Sequence, residues 1–199
     1  VLSETTTDSV TLEKIKQLRA HACFLRAMSM FELTMYWGEI PVIEISDLDN
    51  PDVDMSRRPL SEVWTQIFND LDYATKNLPG GKQTGPRATK GAAIAMLGKL
   101  YMYAPESSGY RDFSKAVGYF EQIKSSYSLE TSYATLFDEW GKCEFNSNES
   151  VFEIDFICNW TAPNYWQWDM GSRTLAFSES VYIGGYDVAL PTDYAYNMK

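Results

Sequence analysis

Residues 159–169 concentrate side chains that suit the binding of a sugar. Three Trp and one Tyr fall within nine residues of this segment, interleaved with Asn and Gln and followed by Asp169. Sugars present apolar C–H faces that stack on aromatic rings, and Trp and Tyr supply a large rigid ring with a polar group. The candidate carbohydrate-binding residues are Trp160, Asn164, Tyr165, Trp166, Trp168 and Arg173.

Two interpretations of this aromatic segment remain open. Its composition predicts a loop, and loops held on a rigid scaffold are frequent places for binding residues. The same rings would also serve to pack such a loop onto helices. Arg173 could donate to sugar hydroxyls, or it could pair with Asp169.

Catalytic, metal and cofactor sites find little support in the sequence. His21 is the only histidine, and Cys23, Cys143 and Cys158 form no metal-binding cluster. We expect Cys23 in the core, whereas Cys143 and Cys158 could pair in an oxidising compartment. The acidic run at 47–54 does not fit a calcium loop, because a proline occupies a ligand position and the turn glycine is missing. We expect no catalytic residue, no metal and no cofactor.

The charge balance restricts the class of ligand. The formal net charge is −10 and the pI about 4.6. There is no basic patch to neutralise phosphates, so a nucleic-acid partner or an anionic membrane surface is disfavoured. The sequence contains no apolar run of about eighteen residues that would predict a transmembrane helix. Neutral ligands or a protein partner fit better.

Helical periodicity dominates the first two thirds of the chain. Apolar residues at three- and four-residue steps predict helices at 11–37 and 61–78, followed by a helical hairpin within 88–126. The first of these helices is apolar nearly all round after Ala22, which predicts a buried helix. Gly38 is expected to end it.

The hairpin has the spacing of a tetratricopeptide unit. Small residues, among them Gly98, leave room for the second helix to lie close to the first. Asp112 is placed to cap the second helix, whose partner-facing residues should be Phe113, Ala116, Phe120 and Ile123. Because such a hairpin cannot bury its outer faces alone, it predicts further helical pairs.

The sequence changes character after Tyr127. A short helix is predicted at 132–140 and a half-buried strand at 151–157, with Glu153 and Asp155 on its exposed face. From Cys158 onward the composition predicts long ordered loops. The predicted fold class is therefore mainly α, with tetratricopeptide-like helical hairpins and a loop-rich, strand-containing C-terminal portion.

Four motifs over residues 11–157 together resemble the SusD/RagB family of outer-membrane nutrient-binding lipoproteins from Bacteroidetes. Their order and spacing carry the resemblance. The motifs are Arg19-Ala20-x-Ala22-x-Phe24-Leu25-Arg26-Ala27 leading into Tyr36-Trp37-Gly38-Glu39-Ile40-Pro41-Val42; Ile67-x-x-Asp70-Leu71-x-x-Ala74-x-x-x-Leu78-Pro79; Arg87-Ala88-Thr89-Lys90-Gly91-Ala92-Ala93 with Leu97-Gly98-Lys99-Leu100-Tyr101-Met102-Tyr103; and Asn148-Glu149-Ser150-Val151-Phe152-Glu153.

The resemblance implies a tetratricopeptide-like scaffold with an irregular portion that carries a glycan site. Residues 1–199 would form one partial domain, with 11–127 as helical scaffold and 128–199 as the irregular part. Members of the family are typically more than twice this length, and both ends of this chain look cut. The family's lipid-bearing cysteine would be absent, since none of the three cysteines starts the chain. The family has no site motif to carry over, so the candidate residues rest on their chemistry.

The function implied is non-catalytic binding of oligosaccharide or polysaccharide at the bacterial outer membrane. The expected partner is a SusC-like TonB-dependent transporter that receives the glycan during polysaccharide utilisation, and the expected location is the cell surface. A tetratricopeptide-type adaptor for a protein segment is an alternative. A glycoside hydrolase is a further alternative, because carboxylate and aromatic side chains occur together in the chain. Such an enzyme needs two carboxyl groups about 5 to 9 Å apart, and the sequence cannot show such a pair.

Overall fold

The computed structural model describes residues 8–44, 47, 49–81, 87–131 and 147–154, together with the backbone of 176–178 and 181–182. Within these residues the chain is mainly helical, which confirms the mainly α part of the predicted fold class. The helices and strands described are α1 Ser9–Trp37, α2 Leu60–Asn77, α3 Lys90–Tyr103, α4 Phe113–Ile123, β1 Ala176–Ser178 and β2 Val181–Tyr182. Single turns of 3-10 helix occur at Glu106–Ser108 and Lys124–Ser126.

The chain divides into two compact units. One contains residues 1–138 and 144–154, and the other contains 139–143 and 155–199. The four α-helices belong to the first unit. In the second, β1 and β2 pair antiparallel. The organisation of residues 1–199 as one domain stays a prediction.

Polar caps define where the helices begin. Asp8 caps α1 and Thr89 caps α3, because their side chains accept from the backbone N–H of the residue three positions later. Asp112 caps α4 through a 2.9 Å bond from the N–H of Lys115, as the sequence predicts. Gly38 ends α1 with φ +69°, a left-handed conformation that glycine adopts without a side-chain clash. The predicted helix limits are thus confirmed to within about two residues.

Helices α1 and α2 pack side by side in opposite directions. Arg19, early in α1, lies over the ring of Tyr73, late in α2. Phe31, late in α1, packs edge-to-face on Trp64, early in α2. This order of contacts can only arise from an antiparallel pair.

Helix α3 packs antiparallel to α2. Phe68 of α2 packs on Tyr101 with ring centroids 4.7 Å apart, while the N–H of Lys90 donates to Pro79 at the opposite end. Helix α2 therefore lies between α1 and α3. Its inner residues form the centre of the core, and the largest fully buried side chains are Val63, Trp64, Ile67, Leu71 and Leu100. Burying a side chain of this size stabilises the fold by about 1.5 to 3 kcal/mol.

The close approach of α3 and α4 occurs at Gly98. A Cβ atom at this position would lie 2.8 Å from ring atoms of Phe120, closer than side-chain contacts allow. One turn away, Tyr101 stacks on Tyr119 with centroids 5.5 Å apart. The prediction that a small residue lets the two helices of the hairpin approach is confirmed.

Two predictions about burial are wrong in part. Helix α1 is not buried all round after Ala22: Leu25, Tyr36 and Trp37 are exposed, because α1 packs with one side on α2. In α4, Ala116 is buried as predicted, but Phe113 is 62% exposed. The apolar face of α4 is wider than its contact with α3, so its first turn is left uncovered.

The prediction of a strand at 151–157 is also wrong for its first four residues, which the structure describes. Val151 and Phe152 form a bend, and Glu153 and Ile154 have no regular structure. The rest of that strand and the predicted helix 132–140 lie outside the described residues. The short strands β1 and β2 instead fall where the sequence predicts long loops.

Candidate functional site

The sequence-predicted binding residues lie outside the described residues. The structure therefore does not test whether they come together, and they stay a prediction. They are Trp160, Asn164, Tyr165, Trp166, Trp168 and Arg173. Cys143 and Cys158, and with them the possible disulfide, lie outside the described residues as well.

The described segment that precedes the aromatic residues, 147–154, is fixed by hydrogen bonds to the chain after α4. Ser128 donates its N–H to the carbonyl of Asn148 over 3.1 Å. The carboxylate of Glu130 accepts from the N–H of Asn148 at 2.8 Å, and that of Glu149 accepts from the N–H of Glu130 at 3.1 Å. These reciprocal bonds hold a turn at 148–149 against the helical part.

An aromatic contact fixes the same segment to α1. Phe152 packs edge-to-face on Phe24 with ring centroids 5.1 Å apart, and Val151 also lies against the core. Glu153 is half-buried, which corrects the prediction of a solvent-exposed carboxylate. Asp155, which the sequence predicts on the same strand face, lies outside the described residues. The separation of the two carboxyl groups is therefore not defined by the described part of the chain.

An ion pair between the half-buried Arg26 and the buried Asp70 joins α1 and α2. Arg26 donates to both oxygens of Asp70, at 2.7 Å from Nε and 2.6 Å from Nη2. Asp70 also accepts from Gln66 at 3.0 Å, and Arg26 reaches the carbonyl of Ile43 at 3.3 Å. The positive charge of Arg26 is thereby paired with a carboxylate. The pair fastens the segment after α1 to the helical core.

The pKa values of three side chains on α1 differ from their ordinary values. The hydrogen bond from Arg26 to Asp70 raises the pKa of the guanidinium, which stays charged. Burial raises the pKa of the Cys23 thiol, so the sulfur is protonated and a poor nucleophile at neutral pH. Burial and the nearby charge of Arg87 lower the pKa of His21, which favours neutral imidazole.

An open groove of about 430 Å³ lies between the start of α3 and the end of α4. Its lining comes from positions far apart in the sequence, so spacing along the chain does not predict it. The lining residues are Gly80, Gly81, Lys90, Gly91, Ile94, Gln122, Ile123, Ser126 and Tyr127.

The described part of the chain shows neither a metal-binding cluster nor a membrane-spanning helix. No group of three or more His, Cys, Asp or Glu side chains there is arranged to hold a metal ion. None of the described helices combines the length and the apolar character needed to cross a bilayer.

Comparison with known proteins gives a consistent result. Residues 1–102 match the family model of SusD-like proteins described as "starch-binding associating with outer membrane". The SusD-like protein P2 of Formosa agariphila is 28% identical over 187 residues, which are 90% of this chain and 35% of that protein. The starch-binding protein SusD of Bacteroides thetaiotaomicron is 30% identical over 142 residues, 68% of this chain and 23% of that protein.

The fold comparison agrees. A crystal structure with xylogluco-oligosaccharide superposes with a TM-score of 0.64 at 27% identity, over 88% of this chain and 35% of that one. The chain thus spans about a quarter to a third of the length of the curated relatives named above. Because the family model matches just over half of its residues, the chain belongs to the SusD-like family of starch-binding proteins associated with the outer membrane.

Proposed function

We propose that this protein binds oligosaccharide or polysaccharide at the bacterial outer membrane without chemically changing it. The observation that carries the proposal is the match of residues 1–102 to the starch-binding SusD-like family. A SusD-like relative is named a starch-binding protein, and a similar structure contains a xylogluco-oligosaccharide. The net charge of −10 is compatible with neutral glycans.

The proposed binding residues are the aromatic and polar side chains of the segment after the anchored turn. Trp160, Tyr165, Trp166 and Trp168 would stack on sugar faces, with Asn164 and Arg173 bonding hydroxyls. The hydrogen bonds at 148–149 and the packing of Phe152 support this proposal, because they hold the chain firmly just before the segment begins.

The helices would act as a tetratricopeptide-like scaffold. Support comes from the antiparallel packing of each helix on the next, and from the glycine contact between α3 and α4. We further propose that the intact protein delivers glycan to a SusC-like TonB-dependent transporter and is held at the cell surface by a lipid anchor. The transporter and the anchor follow from family resemblance alone.

The non-catalytic role is proposed from the match to a family described by the glycan it binds. Two groups of the described part are also unsuited to attack a sugar. Cys23 is buried and protonated, and the carboxylate of Asp70 is fully engaged by Arg26 and Gln66. Neither is placed to attack a glycosidic bond. Release of reducing sugar from a bound polysaccharide would refute this part of the proposal.

The test is affinity electrophoresis of the chain in gels that contain starch, laminarin, xyloglucan or another neutral polysaccharide. We expect retardation in at least one of these gels. Replacing Trp160, Trp166 and Trp168 by Ala should weaken the affinity about tenfold or more, which corresponds to a loss of about 1.4 kcal/mol.

The matched control is Trp37→Ala, which removes an exposed Trp from the end of α1. Circular dichroism verifies that each variant stays folded. If Trp37→Ala abolishes binding while the segment variants do not, the site lies at the end of α1 instead. Absence of retardation by every polysaccharide would overturn the glycan-binding proposal for this chain.

A protein-binding adaptor is the second candidate. The stacked helical hairpins and the exposed apolar surface of α4, including Phe113 and Val117, favour it. Capture of a defined peptide with no affinity for any glycan would favour the adaptor over the carbohydrate-binding protein.

A further inference from the structure

The groove between α3 and α4 has an apolar floor and a fixed aromatic wall. Ile94 and Ile123 form the floor, and Tyr127 crosses the first turn of α3 at Gly91. A Cβ atom at Gly91 would overlap the Tyr127 hydroxyl and lie 3.2 Å from Cζ of its ring. The absence of a side chain at Gly91 is therefore what lets the half-buried Tyr127 ring lie against the helix.

Backbone hydrogen bonds fix both ends of the groove. The N–H of Lys90 donates to Pro79 at 2.9 Å, which holds the wall formed by Gly80 and Gly81 beside α3. On the other side, Ser128, which directly follows Tyr127, donates its N–H to the carbonyl of Asn148. The groove is thus a preformed feature of the fold, and its volume of about 430 Å³ exceeds that of a single sugar ring.

Three polar side chains of the groove have no hydrogen-bond or ionic partner among the described residues, and Gln122 keeps a free acceptor. Lys90 is exposed and forms no ion pair with a described carboxylate, and neither Ser126 nor Tyr127 has a hydrogen-bond partner among the described side chains. Gln122 donates one N–H to the carbonyl of Gly118 at 3.1 Å, which leaves its side-chain oxygen as an acceptor. A ligand could therefore meet donors and an acceptor without displacing internal bonds.

The charge of the groove is opposite to that of the chain. Its described lining residues include the Lys90 ammonium and no carboxylate, whereas the whole chain carries a net charge of −10. Thr89 already caps the first turn of α3 by bonding the N–H of Ala92 at 3.1 Å. The Lys90 side chain, rather than the helix end, is thus the group that would select an anion.

We propose that this groove binds a uronic acid unit of an acidic glycan. The sugar's C–H face would lie on the Tyr127 ring, as sugars do on aromatic side chains. Its carboxylate would pair with Lys90 in a charge-assisted hydrogen bond, and its hydroxyls would bond Gln122 and Ser126. This inference rests on the proposed glycan-binding function and adds a second, charge-selective position on the helical scaffold.

The experiment is an NMR titration of the ¹⁵N-labelled chain with galacturonic acid trisaccharide. A neutral galactose trisaccharide and acetate serve as parallel probes. We expect the galacturonate probe to shift the amide signals of Gly80, Gly81 and Gly91, which line the groove. The neutral probe should shift them several-fold less at equal concentration, and acetate should not reproduce the pattern.

Variants of Lys90 locate the interaction. Lys90→Gln should raise the Kd for the galacturonate probe about fivefold, a typical effect for an exposed charge-assisted pair, whereas Lys90→Arg should retain most of the affinity. Gln has nearly the same helix propensity as Lys, so folding is preserved. Lys14→Gln is the control. Lys14 is exposed on α1, so this substitution removes the same charge outside the groove.

Three results would overturn the uronate site: no shift at the three glycines, equal affinity for the neutral probe there, or equal effects of Lys90→Gln and Lys14→Gln. The same shifts with acetate would reduce the groove to a carboxylate site and overturn the sugar assignment. Retardation by neutral polysaccharides does not depend on Lys90. It therefore distinguishes failure of this groove from failure of the proposed function.

Discussion

The buried ion pair between α1 and α2 gives the sharpest test of the fold. We predict that Asp70→Asn destabilises the chain by about 3 kcal/mol, the lower end of the 3 to 5 kcal/mol typical for removing one partner of a buried pair. As a whole residue Asp70 is 3% exposed. Its carboxylate accepts two hydrogen bonds from Arg26 and one from Gln66. Asn keeps the shape but leaves the guanidinium without its counter-charge.

The lower end applies because Arg26 is not fully buried. Its side chain is 29% exposed, against 4% for Asp70, so water can partly solvate the cation once the carboxylate is gone. Arg26 also keeps its 3.3 Å bond to the carbonyl of Ile43. A completely enclosed arginine would lose more.

The assay is urea unfolding followed by circular dichroism, with the slope m compared between variants. The matched control is Asp72→Asn, which breaks the 2.6 Å bond to Lys76 between two exposed side chains on the same helix. We expect that control to cost less than about 1 kcal/mol, since surface pairs contribute little. If Asp70→Asn costs no more than Asp72→Asn at unchanged m, the reasoning about the buried pair is refuted.

Three further predictions concern single positions in the helical part. Gly98→Ala should destabilise the chain by about 1 kcal/mol in the same unfolding assay, because the new Cβ would meet Phe120. Gly118→Ala, where a Cβ would have no atom within 4 Å, should instead stabilise it by about 0.5 to 1 kcal/mol. Equal effects of the two substitutions would contradict the close approach of α3 and α4. Thr89→Ala should cost about 1 kcal/mol by removing the cap of α3, and a neutral result in urea unfolding would contradict that role. The lowered pKa of His21 means that the unfolded chain binds this proton more readily, so its contribution to stability is fully present above about pH 6.5 and falls as the pH decreases toward the folded value. Thermal unfolding at pH 5 and pH 7.5 should therefore show a smaller pH dependence for His21→Gln than for the unaltered chain, and an unchanged dependence would count against it.

Local signals in the sequence were sufficient for the helices. Periodic apolar residues, the glycine after Trp37 and the capping Asp112 each act over a few residues, so they define helix limits without knowledge of the tertiary fold. Burial was harder to predict. Whether Phe113 is covered depends on which element packs on α4, and that is a tertiary property absent from the helical period.

The candidate sites differ in the same way. Crowded aromatic residues at 160–168 are visible as a local pattern, and their role stays a prediction because they lie outside the described residues. The groove is different, since Lys90 and Tyr127 meet only after α3 and α4 have paired. Its position could not be read from spacing. Gly91, the small residue that the Tyr127 ring requires, is a feature of the groove that is visible locally in the sequence.

Calorimetric titration with the polysaccharide that retards the chain most strongly is the most direct test of glycan binding. The proposal predicts saturable binding that the combined Trp160→Ala, Trp166→Ala and Trp168→Ala variant loses, while Trp37→Ala retains it. Unchanged binding by the triple variant would show that the aromatic segment is structural. Absence of heat with every polysaccharide of the panel would contradict the central claim that this chain binds glycan.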